Sequence, residues 1–150
     1  MKEDQMSPTI QTSAVGTRLP PIDYGRISRA RLALYAGASG DHNPIHIDLD
    51  FAKKSGMPDV FAQGMLSMGV MARVVSGWAG IGRIVSLSTR FLAITPVNAR
   101  LVCSGEVTER FEKDGIPHLR IALHADITTA EGQTVKTLAG EAIVTAGHDA

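Results

Sequence analysis

Between Leu119 and Thr128 the side chains alternate, with Leu119, Ile121, Leu123, Ala125 and Ile127 on one side and Arg120, Ala122, His124, Asp126 and Thr128 on the other. A period of two belongs to an extended strand with one face buried and the other mostly wet. The stretches Ile84–Ile94, Arg100–Glu112 and Thr134–Ala146 fit the same pattern. Pro96-Val97-Asn98, Lys113-Asp114-Gly115 and Glu131-Gly132 lie between them and are turn-forming. The second half of the chain therefore reads as a run of long antiparallel strands.

Upstream the period changes. From Gly64 to Trp78 the residues Met65, Leu66, Met68, Val70, Met71, Val74 and Val75 cover every face of a helical wheel, so this helix is expected to be enclosed. Arg73 stands near its centre, where a charge would cost roughly 2.5–3.5 kcal/mol in a bilayer, which argues for a buried helix over a membrane span. Ser28 can cap an earlier helix, RARLALYAGAS, that ends near Gly37 to Gly40. Asp41–Asp48 reads as a loop because Asn43-Pro44 disfavours helix, and a short helix follows from Asp50 to Lys54, stopped by Gly56 and Pro58.

Long strands after one wholly apolar helix predict an α+β fold in which an antiparallel sheet curls around that helix. Residues 1–15, without periodicity, predict a flexible N-terminal arm, and residues 16–150 a single domain. Long strands also leave edges, and pairing edge to edge with a second copy would cover them, so a dimer is expected.

Composition narrows the classes. A chain of 150 residues with 44% hydrophobic and 20% charged residues is an ordinary globular domain. Fifteen Lys plus Arg balance fifteen Asp plus Glu, so no net field gathers nucleic acid or an anionic membrane, and neither is expected as a partner. Cys103, the single cysteine, can form no internal disulfide, and MKEDQMSPTIQTS lacks the apolar stretch of a secretion signal, so the cytoplasm is the expected compartment.

The chemistry is concentrated in the Asp41–Asp48 loop, which carries Asp41, His42, Asn43, His46 and Asp48, with the Asn43-Pro44 step stiffening what separates Asp41 from His46. Unperturbed Asp and His titrate near 3.9 and 6.5, so at neutral pH such a pair can take one proton and give another, as adding water to a double bond demands. Taken singly, Asp41 could be a turn cap and His46 a packed core histidine. No His-x-x-x-His on a helix and no cysteine pair accompanies them, so no metal is expected, and no serine sits in a G-x-S-x-G elbow.

The run Tyr35-Ala-Gly-Ala-Ser-Gly-Asp41-His-Asn43-Pro-Ile-His46-Ile-Asp48 closely resembles the signature of the MaoC-like dehydratases, the (R)-specific enoyl-CoA hydratases (hydratase 2) of the hot-dog fold. The resemblance extends from about Val15 to Ala146 and is closest to single-hot-dog bacterial members, among them catalytic subunits of hydroxyacyl-ACP dehydratase heterodimers. It implies a sheet wrapped around the central helix, a homodimer, and Asp41 and His46 as catalytic dyad, steadied by Asn43. It further implies that the backbone N–H of Gly64 holds the thioester carbonyl, where the helix dipole favours a developing enolate. The substrate would be an acyl-CoA or acyl-ACP thioester, with no cofactor beyond that carrier.

One departure stands out. The family commonly has histidine before the helix-start glycine, whereas this chain has Gln63, which can hydrogen-bond through its amide but carries no charge. Met68, Ala72 and Val75 are candidates to line the acyl chain, and Arg90, with Lys53 or Lys54, to meet its phosphates. Rival readings are a heterodimer with a second hot-dog subunit and a noncatalytic thioester-binding protein. A hot-dog thioesterase is disfavoured because Gly64–Trp78 contains no Asp or Glu.

Overall fold

A computed structural model describes residues 9–147. The elements in chain order are β1 (Ile22–Arg26), α1 (Arg29–Ser39), a 3-10 turn (Pro44–His46), α2 (Leu49–Lys54), α3 (Gly64–Ala79), a second 3-10 turn (Ile81–Arg83), β2 (Ile84–Phe91), β3 (Arg100–Lys113), β4 (Ile116–Thr128) and β5 (Thr134–Thr145). The strands form one five-stranded sheet in the order β1-β3-β4-β5-β2, every neighbouring pair antiparallel.

The alternating pattern sets the register. Leu101, Cys103 and Val107 of β3, Leu119, Ile121, Leu123, Ala125 and Ile127 of β4, and Leu138, Ala142 and Val144 of β5 are all buried. They pack with Leu66, Val70, Met71, Val74 and Val75 of α3 in one core. The α+β architecture, a sheet curled on a central apolar helix, is the one the periodicity predicts. Asp114 and Gly115 take φ of 54° and 76° between the paired Lys113 and Ile116, the geometry of a two-residue hairpin turn.

Two features differ from the sequence reading. β1 was not anticipated: it is five residues long, its Gly25 φ is +80°, and its pairing with β3 shifts register between Asp23 and Gly25, so no clean alternation marks it. Nor is α3 enclosed on every side in the single chain, since Met65 is 55% exposed and Gly69, Arg73 and Gly77 are also exposed. The sheet covers only the side of α3 that carries Leu66, Val70, Met71, Val74 and Val75.

Of the arm expected over residues 1–15, residues 1–8 lie outside the described ones. Ile10 and Ser13 are buried, and Gly16 donates its N–H to the Val107 carbonyl. Among the described residues no helix is long and apolar enough to cross a membrane.

Candidate active site

The loop after α1 is built by short-range hydrogen bonds. Ser28 caps α1 by accepting from the Arg31 N–H, and Gly40 ends it in the left-handed region, its N–H returning to the Ala36 carbonyl. The chain then turns sharply, and Asp41 donates its N–H to Ser39 Oγ at 3.2 Å. Asp41 Oδ1 accepts from the Asn43 N–H at 3.3 Å, and Asn43 Oδ1 accepts from the Ile45 N–H at 3.1 Å, capping the 3-10 turn. Asp48 caps α2 in the same way, accepting from the N–H groups of Asp50 and Phe51. These side chains fold the loop by satisfying the donors that each new turn leaves open. Asn43 thereby couples the carboxylate of Asp41 to the turn that carries His46.

His46 is the buried member of this loop, and its Nδ1 lies 2.8 Å from the Phe61 carbonyl oxygen. A carbonyl only accepts, so Nδ1 carries the hydrogen and Nε2 is the atom free to gain or lose a proton. That Nε2 faces Asp41 Oδ2 at 3.8 Å. The gap is too long for a direct hydrogen bond, and both atoms can hold one water placed at their side. The Phe61 ring stands edge-on to the imidazole, centroids 5.0 Å apart, and fixes its plane. Asp41 keeps 43% of its side chain in solvent, against 11% for His46.

Phe61 also lines a cavity of about 330 Å³ with Ala62, Gly64, Phe91, Ile94 and Leu138. Gly64 opens α3 there, and no side chain caps that terminus, so its N–H is an orphan donor at the positive end of the helix dipole. A Cβ at Gly64 would lie 2.8 Å from Phe91 Cε1, so only glycine lets the ring close over the helix start. The arrangement joins the Asp41–His46 pair to a dipole-backed amide through one residue, Phe61.

Gln63 is fully buried and does not point at the dyad. Its Nε2 donates to the Leu32 carbonyl of α1 at 3.3 Å, while its Oε1 has no partner. It braces the start of α3 against α1. Other expected positions are dispersed: Val75 is core, Met68 and Ala72 are half-buried, and none of the three lines the Gly64 cavity. Arg90 alternates with Phe91 on β2 and lines a separate cavity of about 670 Å³ with Ser88, Glu141 and Leu92, the last of which it shares with the Gly64 cavity. His42, Lys53 and Lys54 are exposed.

Phe61 and Phe91 were not singled out from the sequence. Phe61 acts through its carbonyl, which carries no side-chain signal, and only its position shortly before Gly64 hints at it. Phe91 acts through a ring packed over the helix start, a contact that no local sequence pattern marks.

Residues 9–126 match the family described as MaoC like domain. The 3-hydroxyacyl-thioester dehydratase X of Mycobacterium tuberculosis is 36% identical over 107 residues, covering 67% of this chain, and the chain spans 38% of that protein's length. The structure of R-hydratase PhaJ1 from Pseudomonas aeruginosa superposes with a TM-score of 0.77 at 24% identity, over 94% of this chain and 86% of that one. The ChsH1–ChsH2 complex from Mycobacterium tuberculosis gives 0.73 at 23% identity, over 89% and 98%. Both structural likenesses are likenesses of fold.

Proposed function

This chain belongs to the MaoC-like dehydratase family, and from that premise we propose that it is a hydro-lyase that adds water to a trans-2-enoyl thioester to give the (3R)-3-hydroxyacyl thioester, and reverses the reaction. The observation that carries the reading is His46 Nε2 facing Asp41 Oδ2 at 3.8 Å with Nδ1 held by the Phe61 carbonyl. The thioester carbonyl accepts from the Gly64 N–H. A water between Asp41 and His46 gives one proton to the pair as its oxygen bonds to C3, and the electron pair of the double bond moves toward the carbonyl. The enolate oxygen is stabilised by the amide and the helix dipole. The pair then returns a proton to C2 from the same face, which restores its starting state and completes the addition of H and OH. CoA or an acyl carrier protein enters as part of the substrate, with no other cofactor and no metal.

Hydration of the enoyl group removes conjugation with the carbonyl, so loss of ultraviolet absorbance across a series of enoyl-CoA chain lengths tests this activity. Saturable loss that scales with enzyme supports it, and no loss at any chain length for any assembly of the protein contradicts it.

For assembly, we propose a dimer through the β2 edge. Phe91, Leu92 and Ile94 at its end and Met65 of α3 are each about half exposed, an apolar surface that a second hot-dog chain would cover. A homodimer is the first form to look for, and a heterodimer in which this chain is the catalytic subunit is the second. Mass measured in solution on the chain purified alone separates them. The free, buried Cys103 fits action in the cytosol.

A further inference from the structure

Arg73 is left without a role by the hydration chemistry, although it is the only charged residue in the apolar run of α3. The helix presents Arg73, Val74, Gly77 and Trp78 to a cavity of about 510 Å³, closed on the other side by Ile10, Pro20 and Ile22. No lining residue is shared with the Gly64 cavity, and Met68, Ala72 and Val75 do not line it. Its walls are mostly aliphatic, aromatic and proline. Arg73 is its one ionisable lining residue, and no ion pair or hydrogen bond of its guanidinium is found among the described residues.

A volume of several hundred Å³ with mainly apolar walls and a few polar groups among them, here Arg73 and Thr9, has the ordinary features of a small-molecule site. The cation sets the sign of the ligand's head, and the apolar wall sets its tail. Arginine suits this place because its stem packs on apolar surface while its planar fork pairs with both oxygens of a carboxylate. Gly77 contributes by leaving the wall beside Trp78 open: a Cβ built there meets nothing within 4 Å.

We propose that this cavity is a second ligand site, separate from the Asp41–His46 site, for an aliphatic carboxylate whose chain lies against Trp78 and whose head pairs with Arg73. Trp78 is the chain's only tryptophan, so the site carries its own reporter. The test is a fluorescence titration of the full-length protein with decanoate, decanol and acetate, with calorimetry on the same samples and no turnover required. Decanoate gives a saturable change, decanol binds about tenfold more weakly, consistent with loss of one charge-assisted pair, and acetate gives none. Arg73→Gln brings decanoate down to the level of decanol. Gly77→Leu, which fills the open space without touching the charge, abolishes the saturable response to both while the far-ultraviolet circular dichroism is unchanged. Asp41→Asn binds decanoate as the wild type does. Equal affinity for decanoate and decanol in the wild type, an Arg73→Gln variant that binds decanoate normally, or a Gly77→Leu variant that still saturates overturns the proposal. None of these readouts depends on the hydratase reading.

Discussion

His46 is held by Phe61 twice, through a 2.8 Å contact between Nδ1 and the Phe61 carbonyl oxygen and through a ring packed edge-on at 5.0 Å. The hydrogen bond decides which nitrogen is chemically free, and the ring decides where it points. Because Phe61 also lines the cavity at Gly64, the same residue sets how far the Asp41–His46 pair stands from the start of α3.

His46→Asn keeps an amide donor at the Nδ1 position for the Phe61 carbonyl but removes Nε2, the nitrogen that faces Asp41. The expected loss in kcat for enoyl-CoA hydration is about 10²–10⁴-fold, the usual worth of a positioned acid or base. The thermal midpoint should move by only a few degrees, since the retained donor limits the cost to about 1 kcal/mol. Steady-state kinetics and a thermal melt on the same preparation check both parts.

Gly64→Ala places a methyl 2.8 Å from Phe91 Cε1. The ring must then shift, and the amide at the helix start loses its fit to the carbonyl, so kcat/KM is expected to fall by about tenfold or more. Phe91 is half exposed and can be trimmed at little cost. Gly64→Ala combined with Phe91→Leu should therefore recover part of the loss, and a double-mutant cycle in kcat/KM measures the coupling.

Gln63 has its amide nitrogen bonded and its amide oxygen buried without a partner. Gln63→Leu deletes the bond to the Leu32 carbonyl and at the same time removes the orphaned Oε1. These effects oppose each other, and urea unfolding should show a change within about 1 kcal/mol. Activity should fall through KM or kcat by less than for Gly64→Ala, because Gln63 touches α1 rather than the dyad.

Burial, with a smaller contribution from the charge of Asp126, pushes the Cys103 thiol up to about 12. In the unfolded chain the same thiol ionises near 8.5, so between about pH 9 and 12 the unfolded state binds fewer protons than the folded one. Stability should therefore fall as pH rises through that window, more steeply for the wild type than for Cys103→Ala. The sulfhydryl should resist alkylation at pH 8 until denaturant is added, which thiol titration with and without urea checks.

The architecture was legible because its signals are periodic. Alternation in Leu119–Thr128 and the all-round apolar run in Gly64–Trp78 each follow from how an element buries its side chains, and the sheet on the helix follows from both. β1 was not legible because Gly25 and the register shift break alternation in a strand only five residues long. Asp41, Asn43 and His46 were legible as a cluster because loop-forming side chains and proton-exchanging ones occur together in one short segment. The roles of Phe61 and Phe91 depend on a backbone carbonyl and on a ring packed across β2 and α3, contacts between segments far apart in sequence. Arg90 shows the converse: its charge is visible in the sequence, but β2 carries it to a different cavity from the one at Gly64.

The most direct test of an Asp41–His46 acid–base pair is hydration of crotonyl-CoA by wild type and Asp41→Asn, with chiral analysis of the 3-hydroxy product. Asp41 is partly exposed, so the substitution should leave the fold intact. The account predicts (3R) product from the wild type and a rate at least about 10²-fold lower from the variant at equal folded concentration. An Asp41→Asn variant that hydrates crotonyl-CoA at the wild-type rate, or a wild type that gives (3S) product, would contradict it.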